Sequence, residues 1–336
     1  MPHWKYLPPR WLPGGNLQTI WPALAAQRVA GPPVRYRRER WSTPDHDFID
    51  VDWLMGEQLA PARLAAACAP AAPLLVLFHG LEGSSSSHYA QAFADYARAR
   101  GAHFAVAHFR GCGGELNQGP RAYHSGDFEE VDWILRRFRI LHAGAILAVG
   151  VSLGGNALMR WAGEMGASAS AVVQAVASVS APLDLAAGGH AIGRGFNRLV
   201  YTRMFLNTMK PKALRKLAQH PGLFDREALL SARDLYAFDN VFTAPLHGFA
   251  HTDDYWARAS AKPHLSRIGI PALLLNARND PFVPAASLPT QAQVSRWVHL
   301  WQPDHGGHVG FPVGPMPGHV REMPQAVGGW LLAHAG

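Results

Sequence analysis

Ser152 sits in the run Gly150-Val151-Ser152-Leu153-Gly154, directly after the apolar stretch Ile146-Leu147-Ala148-Val149 and before the helix-forming Asn156-Ala157-Leu158-Met159-Arg160. Glycines two positions to either side of a serine suit a sharp strand-to-helix turn, where a side chain at either place would clash. Such a turn presents the hydroxyl beyond the end of a strand, so Ser152 is the expected nucleophile. A serine hydroxyl attacks an ester only with a base beside it and an acid to orient that base. Both types of residue follow. Asp280 lies in the polar loop Asn276-Ala277-Arg278-Asn279-Asp280-Pro281, just past the apolar Leu273-Leu274-Leu275. The stretch Trp297-Val298-His299-Leu300-Trp301 runs into Pro303-Asp304-His305-Gly306-Gly307-His308.

Glycine neighbours leave the His308 imidazole room to reach across the end of a sheet, which makes it the expected base. His305, nearer the strand and suited to bracing the loop, is the alternative. Asp280 is the expected acid; Asp184 is its rival, because it too follows an apolar stretch, Val172 to Ser180. Read as a metal-binding pair, His305 and His308 lack a third ligand nearby. The tetrahedral intermediate of acyl transfer also needs two donors aimed at its oxyanion. The backbone N–H of Leu153 is one, and that of Leu81, in His79-Gly80-Leu81-Glu82-Gly83 after the apolar Leu74 to Phe78, is the other. These groups suffice for a two-step acyl transfer completed by water, with no metal and no organic cofactor. The order Ser, Asp, His along the chain is that of the α/β-hydrolases.

Pro73 to Gly83, Gly150 to Asn156, Asn279 to Pro284 and His305 to Phe311 resemble the YheT-like branch of the α/β-hydrolases. That branch includes bacterial predicted hydrolases, plant embryogenesis-associated proteins and animal α/β-hydrolase-domain lipases. Leu12-Pro13-Gly14-Gly15-Asn16-Leu17-Gln18-Thr19-Ile20-Trp21-Pro22 is similar to its opening segment, and His108-Phe109-Arg110-Gly111-Cys112-Gly113-Gly114 is similar as well, so the resemblance spans nearly the whole chain. It implies esterase or acylglycerol-lipase chemistry, or acyl transfer to an alcohol, with Ser152, Asp280 and His308 as triad. One departure stands out. The branch often has paired aspartates before Pro-Phe, whereas here the first is Asn279.

The expected architecture is an α/β-hydrolase fold, a mostly parallel doubly wound sheet with a helical cap insertion. At 336 residues and 48% hydrophobic content the chain reads as one catalytic domain carrying an insertion. An antiparallel pair is expected at Val34–Ser42 and Phe48–Leu54. Parallel strands follow at Leu74–Phe78, Phe104–His108, Ile146–Val149, Val172–Ser180, Ala272–Leu275 and Trp297–Trp301. Helices are expected at Tyr89–Arg100, Asp127–Leu141, Asn156–Gly163 and Ala326–Ala333. Residues 1–33 read as an irregular wrap and Gln58–Ala72 as a surface connection. The alternation breaks from Leu185 to Pro263, which gives a core of residues 1–184 and 264–336 around a cap at 185–263. Phe196, Met204, Phe205 and Met209 of that cap either line an acyl pocket or pack it onto the core.

Cys68 and Cys112 are the two cysteines, which supplies no disulfide framework and fits a reducing compartment. The opening residues lack the apolar core of a signal peptide, and no window approaches eighteen uninterrupted apolar residues, so a cytoplasmic location is expected. The formal net charge is +7, carried by dispersed residues with modest clusters at Arg35–Arg40 and Arg136–Arg139. That pattern allows weak peripheral contact with acidic lipid surfaces, and it forms no basic-aromatic module for nucleic acid. The expected partner is a small-molecule ester or acylglycerol. Alternatives are an alcohol O-acyltransferase using the same triad and a non-catalytic binding protein of the same fold. The residues do not specify an oligomeric state.

Overall fold

The computed structural model describes residues 4–55 and 71–335. Cys68 and all but the last two residues of the Gln58–Ala72 connection lie outside them. Eight strands form one sheet in the order β1-β2-β4-β3-β5-β6-β7-β8. They are β1 (Tyr36–Ser42), β2 (Phe48–Leu54), β3 (Leu74–Phe78), β4 (His103–Ala107), β5 (Ile146–Val151), β6 (Ala175–Val179), β7 (Ala272–Leu275) and β8 (Val298–Trp301). β1 pairs antiparallel with β2, and β2 antiparallel with β4. All later pairings are parallel.

β3, β5, β6 and β7 are buried at every position, which is why they read as unbroken apolar runs rather than alternating ones. Their side chains divide by the two-residue period of a strand. Leu74, Val76 and Phe78 join one core with Val131, Ile134 and Phe138 of α3 (Phe128–Leu141) and Leu158 and Trp161 of α4 (Leu153–Met165). Leu75 and Leu77 join the other, with Phe93 and Ala97 of α2 (His88–Ala99) and Met323, Val327 and Trp330 of the final helix Glu322–Leu332. β3 lies between β4 and β5, so the chain winds one way from β3 and the other way from β5. The carboxyl ends of these two strands flank the crevice where such sheets bind ligands.

Several boundaries differ from expectation. Helix α4 begins at Leu153 rather than Asn156, because Ser152 itself closes the turn. β6 is shorter than Val172–Ser180: residues 166–171 form a 3-10 turn, and Ser180 turns out of the strand at φ 53°. The final helix starts at Glu322 instead of Ala326, with Pro324 in its first turn, where a missing N–H costs nothing. Residues 1–33 are not an irregular wrap throughout, since Gly15–Leu24 is a helix, α1.

Between β6 and β7 the chain forms α5 (Leu185–Ile192), a continuous helical run from Gly195 to Gln219, and the helices Arg226–Ser231, Leu235–Phe238 and Thr252–Ala259, with no strand. The run passes through a π-helical segment, Arg198–Thr202. Among the described residues, no helix is long and apolar enough to cross a membrane.

Candidate active site

Ser152 connects β5 to α4 with φ 53° and ψ −118°, a conformation that costs free energy in any non-glycine residue and persists only where the surroundings hold it. The surroundings here are backbone. Ser152 N–H donates to Val179 O at 2.8 Å, and Ser152 O accepts from the N–H groups of Gly155 and Asn156. A Cβ on Gly154 would stand 2.5 Å from both Phe78 O and His79 O, and one on Gly150 would stand 2.6 Å from Gly155 Cα. The glycines flanking the serine are therefore sites of direct backbone contact, as their spacing suggests.

His308 Nε2 is 3.0 Å from Ser152 Oγ, and His308 Nδ1 is 2.9 Å from Asp280 Oδ2. A carboxylate oxygen only accepts, so Nδ1 carries the proton and Nε2 is left to accept from the serine hydroxyl. The other carboxylate oxygen, Asp280 Oδ1, accepts from the backbone N–H groups of Phe282 at 2.8 Å and Val283 at 3.3 Å. The carboxylate thus cannot rotate without breaking bonds on both sides. The Phe282 ring lies 4.2 Å, centroid to centroid, from the imidazole and holds its plane.

The rivals have other partners. Asp184 caps α5, accepting from Ala187 N–H, and faces Lys262 at 3.7 Å. His305 is exposed and touches Asn279 at 3.4 Å. Asn279, the departure from the paired aspartates, is a bridge: its amide nitrogen donates to Gln18 Oε1 at 3.0 Å and its oxygen accepts from Gly307 N–H at 3.0 Å.

Sequence reasoning missed the residues on the other side of that bridge. Gln18, buried in α1, accepts from Gly306 N–H at 2.9 Å and donates to Leu12 O. Thr19 Oγ1 accepts from His308 N–H at 2.8 Å and donates to Gly15 O. α1 therefore holds the histidine loop and the aspartate loop together. The signal was present in the Leu12–Pro22 motif, where the helix carries three polar residues, Asn16, Gln18 and Thr19, and buries the last two. Replacing Thr19 with Val keeps the shape, removes the acceptor and leaves a buried N–H unpaired, which costs about 1–3 kcal/mol. Thr19→Val is expected to lower kcat by roughly 10- to 100-fold through misplacement of His308. KM should hold and Thr19→Ser should restore the rate, both checked by steady-state kinetics.

Leu81 and Leu153 flank the serine from the ends of β3 and β5, and neither backbone N–H has an acceptor among the described residues. His79 shapes the Leu81 loop: its Nδ1–H donates to Gly80 O at 2.8 Å while Nε2 accepts from Phe109 N–H at 3.1 Å. Complete burial pushes the His79 imidazole down to about 3, so it stays neutral. Tyr89 Oη accepts from Gly80 N–H. Glu82 Oε1 accepts from Tyr123 Oη and from Lys212 Nζ, each at 2.9 Å, which ties this loop to the helix Arg203–Gln219. Burial pushes the nearby Cys112 thiol up to about 12, leaving it without thiolate reactivity.

Ser152, His308, Leu81 and Leu153 open into a cavity of about 160 Å³ whose far walls come from the β6–β7 segment, including Ile192, Phe205, Met209, Phe238 and Phe242. Phe205 and Met209 face the cavity, whereas Phe196 and Met204 are 51% and 52% exposed and face solvent. The four residues grouped in the sequence therefore divide between two surfaces.

Asp239 also lines the cavity, accepting from Thr243 Oγ1 at 2.6 Å and Trp256 Nε1 at 2.9 Å. Burial pushes its carboxyl up to about 6. The folded chain keeps this proton to a higher pH than the unfolded chain does, so stability falls as pH rises from about 4 to about 6. Asp239→Asn removes that fall. The melting temperature of the variant relative to wild type should rise across this window and level off above it, as read by thermal melts at several pH values.

Residues 73–315 match the family model of the alpha/beta hydrolase fold. The chain is 38% identical over 333 residues to the candidate esterase YheT of Escherichia coli (strain K12), covering 98% of this chain and 94% of that protein. It is 30% identical over 324 residues to the phospholipase ABHD3 of Mus musculus, covering 95% of this chain and 76% of that protein. Among solved structures, the Pyrococcus furiosus esterase Pf2001 superposes with a TM-score of 0.55 at 16% identity, over 93% of this chain and 100% of that one, a likeness of fold. The chain belongs to the α/β-hydrolase fold family, of the esterase and lipase type. Within that family it falls in the YheT branch, together with the ABHD3 phospholipases and the embryogenesis-associated protein EMB8 of Picea glauca, to which it is 27% identical over 292 residues.

Proposed function

We propose that the protein is a serine hydrolase that cleaves carboxylic esters through an acyl-enzyme, with Ser152 as nucleophile, His308 as general base and acid, and Asp280 as the group that orients the imidazole. The observation that carries this reading is the unbroken line of bonds from Ser152 Oγ through His308 to Asp280, with the hydroxyl opening into an apolar cavity.

His308 Nε2 takes the Ser152 proton as Oγ attacks the ester carbonyl carbon, and the imidazolium is stabilised by Asp280. The carbonyl oxygen, now negative, accepts from the Leu81 and Leu153 N–H groups, which are pre-positioned and have no other acceptor among the described residues. Collapse of the tetrahedral intermediate passes the proton from Nε2 to the departing alcohol oxygen and leaves the acyl group on Oγ. Water then enters, gives a proton to Nε2, adds to the acyl carbon and releases the acid, with the proton returning to Oγ.

Residues 185–263 act as the cap in this reading. Their side chains Phe205, Met209, Phe238 and Phe242 supply an apolar wall for the acyl chain. The substrate is a small-molecule ester or acylglycerol, and the reaction runs on the chain's own groups and water.

Labelling with a fluorophosphonate probe, with the modified peptide mapped by mass spectrometry, tests the assignment. Modification at Ser152 together with release of acid from a series of p-nitrophenyl esters is the expected result. Modification at another residue removes the assignment, and ester product formed in added alcohol with no free acid would make the protein an acyltransferase.

A further inference from the structure

The helical run Gly195–Gln219 is apolar on two faces. Its inner face is accounted for. Tyr201 packs on Phe282 at 4.5 Å between ring centroids, Asn197 Nδ2 donates to Pro281 O at 2.6 Å, and Phe205 and Met209 line the cavity. Its outer face carries Phe196, Leu199, Val200 and Met204, exposed by 51%, 65%, 36% and 52%. Phe196 stands just before the π-helical segment Arg198–Thr202, Leu199 and Val200 within it and Met204 just after it, so the four exposed apolar side chains are gathered on little more than two turns of one helical run. A contiguous apolar stripe facing water marks an interaction surface.

The stripe is flanked by Arg194, Arg198 and Arg203, all exposed and none paired with a carboxylate among the described residues. Exposed arginines elsewhere divide: Arg136 pairs with Asp132, Arg226 with Glu227, Arg258 with Asp254 and Arg267 with Glu164, whereas Arg100, Arg233 and Arg296 have no carboxylate partner among the described residues. What distinguishes Arg194, Arg198 and Arg203 is that they stand beside exposed apolar side chains. Bulky apolar side chains on one face with unpaired cations beside them are the composition of a helix that lies in the headgroup layer of an anionic bilayer, with the guanidinium groups reaching up to phosphate.

We infer that this helix face docks the protein on a lipid bilayer carrying anionic headgroups. The placement has a consequence for the site. The same helix contributes Phe205 and Met209 to the cavity wall and rests on the loop that holds Asp280, so docking brings the cavity to the surface from which an acylglycerol would enter. That consequence rests on the esterase reading; docking itself does not.

The test is therefore made without turnover. Ser152→Ala protein is sedimented with vesicles of phosphatidylcholine alone and of phosphatidylcholine mixed with phosphatidylglycerol. Binding to the mixed vesicles that weakens with salt is expected. Arg198→Gln with Arg203→Gln should weaken it on the order of 25-fold, at roughly fivefold for each arginine near an anionic surface. Phe196→Ser with Leu199→Ser should abolish it, while the same pair in the Ser152 background leaves hydrolysis of a soluble short-chain ester unchanged. Binding that ignores phosphatidylglycerol, survives either pair of substitutions, or is absent overturns the inference. So does a dimer in light scattering that Phe196→Ser with Leu199→Ser converts to monomer, which would make the stripe an interface between two copies. An inactive enzyme that still binds vesicles would remove the esterase reading and leave this one standing.

Discussion

Ser152→Ala is expected to lower ester turnover on the order of 10⁵- to 10⁶-fold, the scale of removing the nucleophile from a triad that acts as a unit. The fold should be untouched. The side chain of Ser152 bonds to His308, while its strained backbone is held by Val179 O and by the N–H groups of Gly155 and Asn156. Alanine meets the same φ of 53° with the same Cβ, so the substitution adds no strain that serine lacks. Turnover by active-site-titrated enzyme, with circular dichroism and a thermal melt alongside, makes the comparison. A well-folded variant that keeps a rate near that of the wild type takes the nucleophile role away from Ser152.

Asp280→Asn should cost roughly 10³- to 10⁴-fold in kcat through the direction of one hydrogen bond. The backbone N–H groups of Phe282 and Val283 both point at Oδ1, so the amide of asparagine would set its oxygen there and turn its NH₂ toward His308 Nδ1. Nδ1 would then have to accept. The imidazole proton moves to Nε2, where it faces Ser152 Oγ and blocks proton removal from the hydroxyl. KM should change little, because the cavity wall is unaltered. If Asp184 were the acid instead, Asp280→Asn would leave the rate intact and Asp184→Asn would lower it; the bond from Asp184 to Ala187 N–H and its position at the start of α5 predict the reverse.

The nucleophile turn was legible in sequence because its requirement is local: two glycines must stand where backbone atoms crowd, and that fixes their spacing around Ser152. The buried strands were legible for a related reason, since coverage on both faces erases polar alternation over four to six residues. Bonds between distant parts of the chain left no comparable trace. Gln18 and Thr19 reach Gly306 and His308 across 288 and 289 residues, and no periodicity marks such a pairing. Asn279 reads as a defect in a motif until its two bonds are seen to need one donor and one acceptor, which an aspartate could not supply together. Phe196, Met204, Phe205 and Met209 could not be sorted by composition, because a π-helical segment shifts the phase of the helix between the first and the rest.

The clamp by α1 has a consequence for how the protein comes into being. Ribosomes deliver the helix that carries Gln18 and Thr19 first, and the loop it must grip follows nearly three hundred residues later. Until that loop emerges, the two polar side chains have nothing to hold, and the nascent chain can assemble its sheet without owning a working histidine. Hydrolytic competence would then be acquired in one late event, when α1 meets the histidine loop.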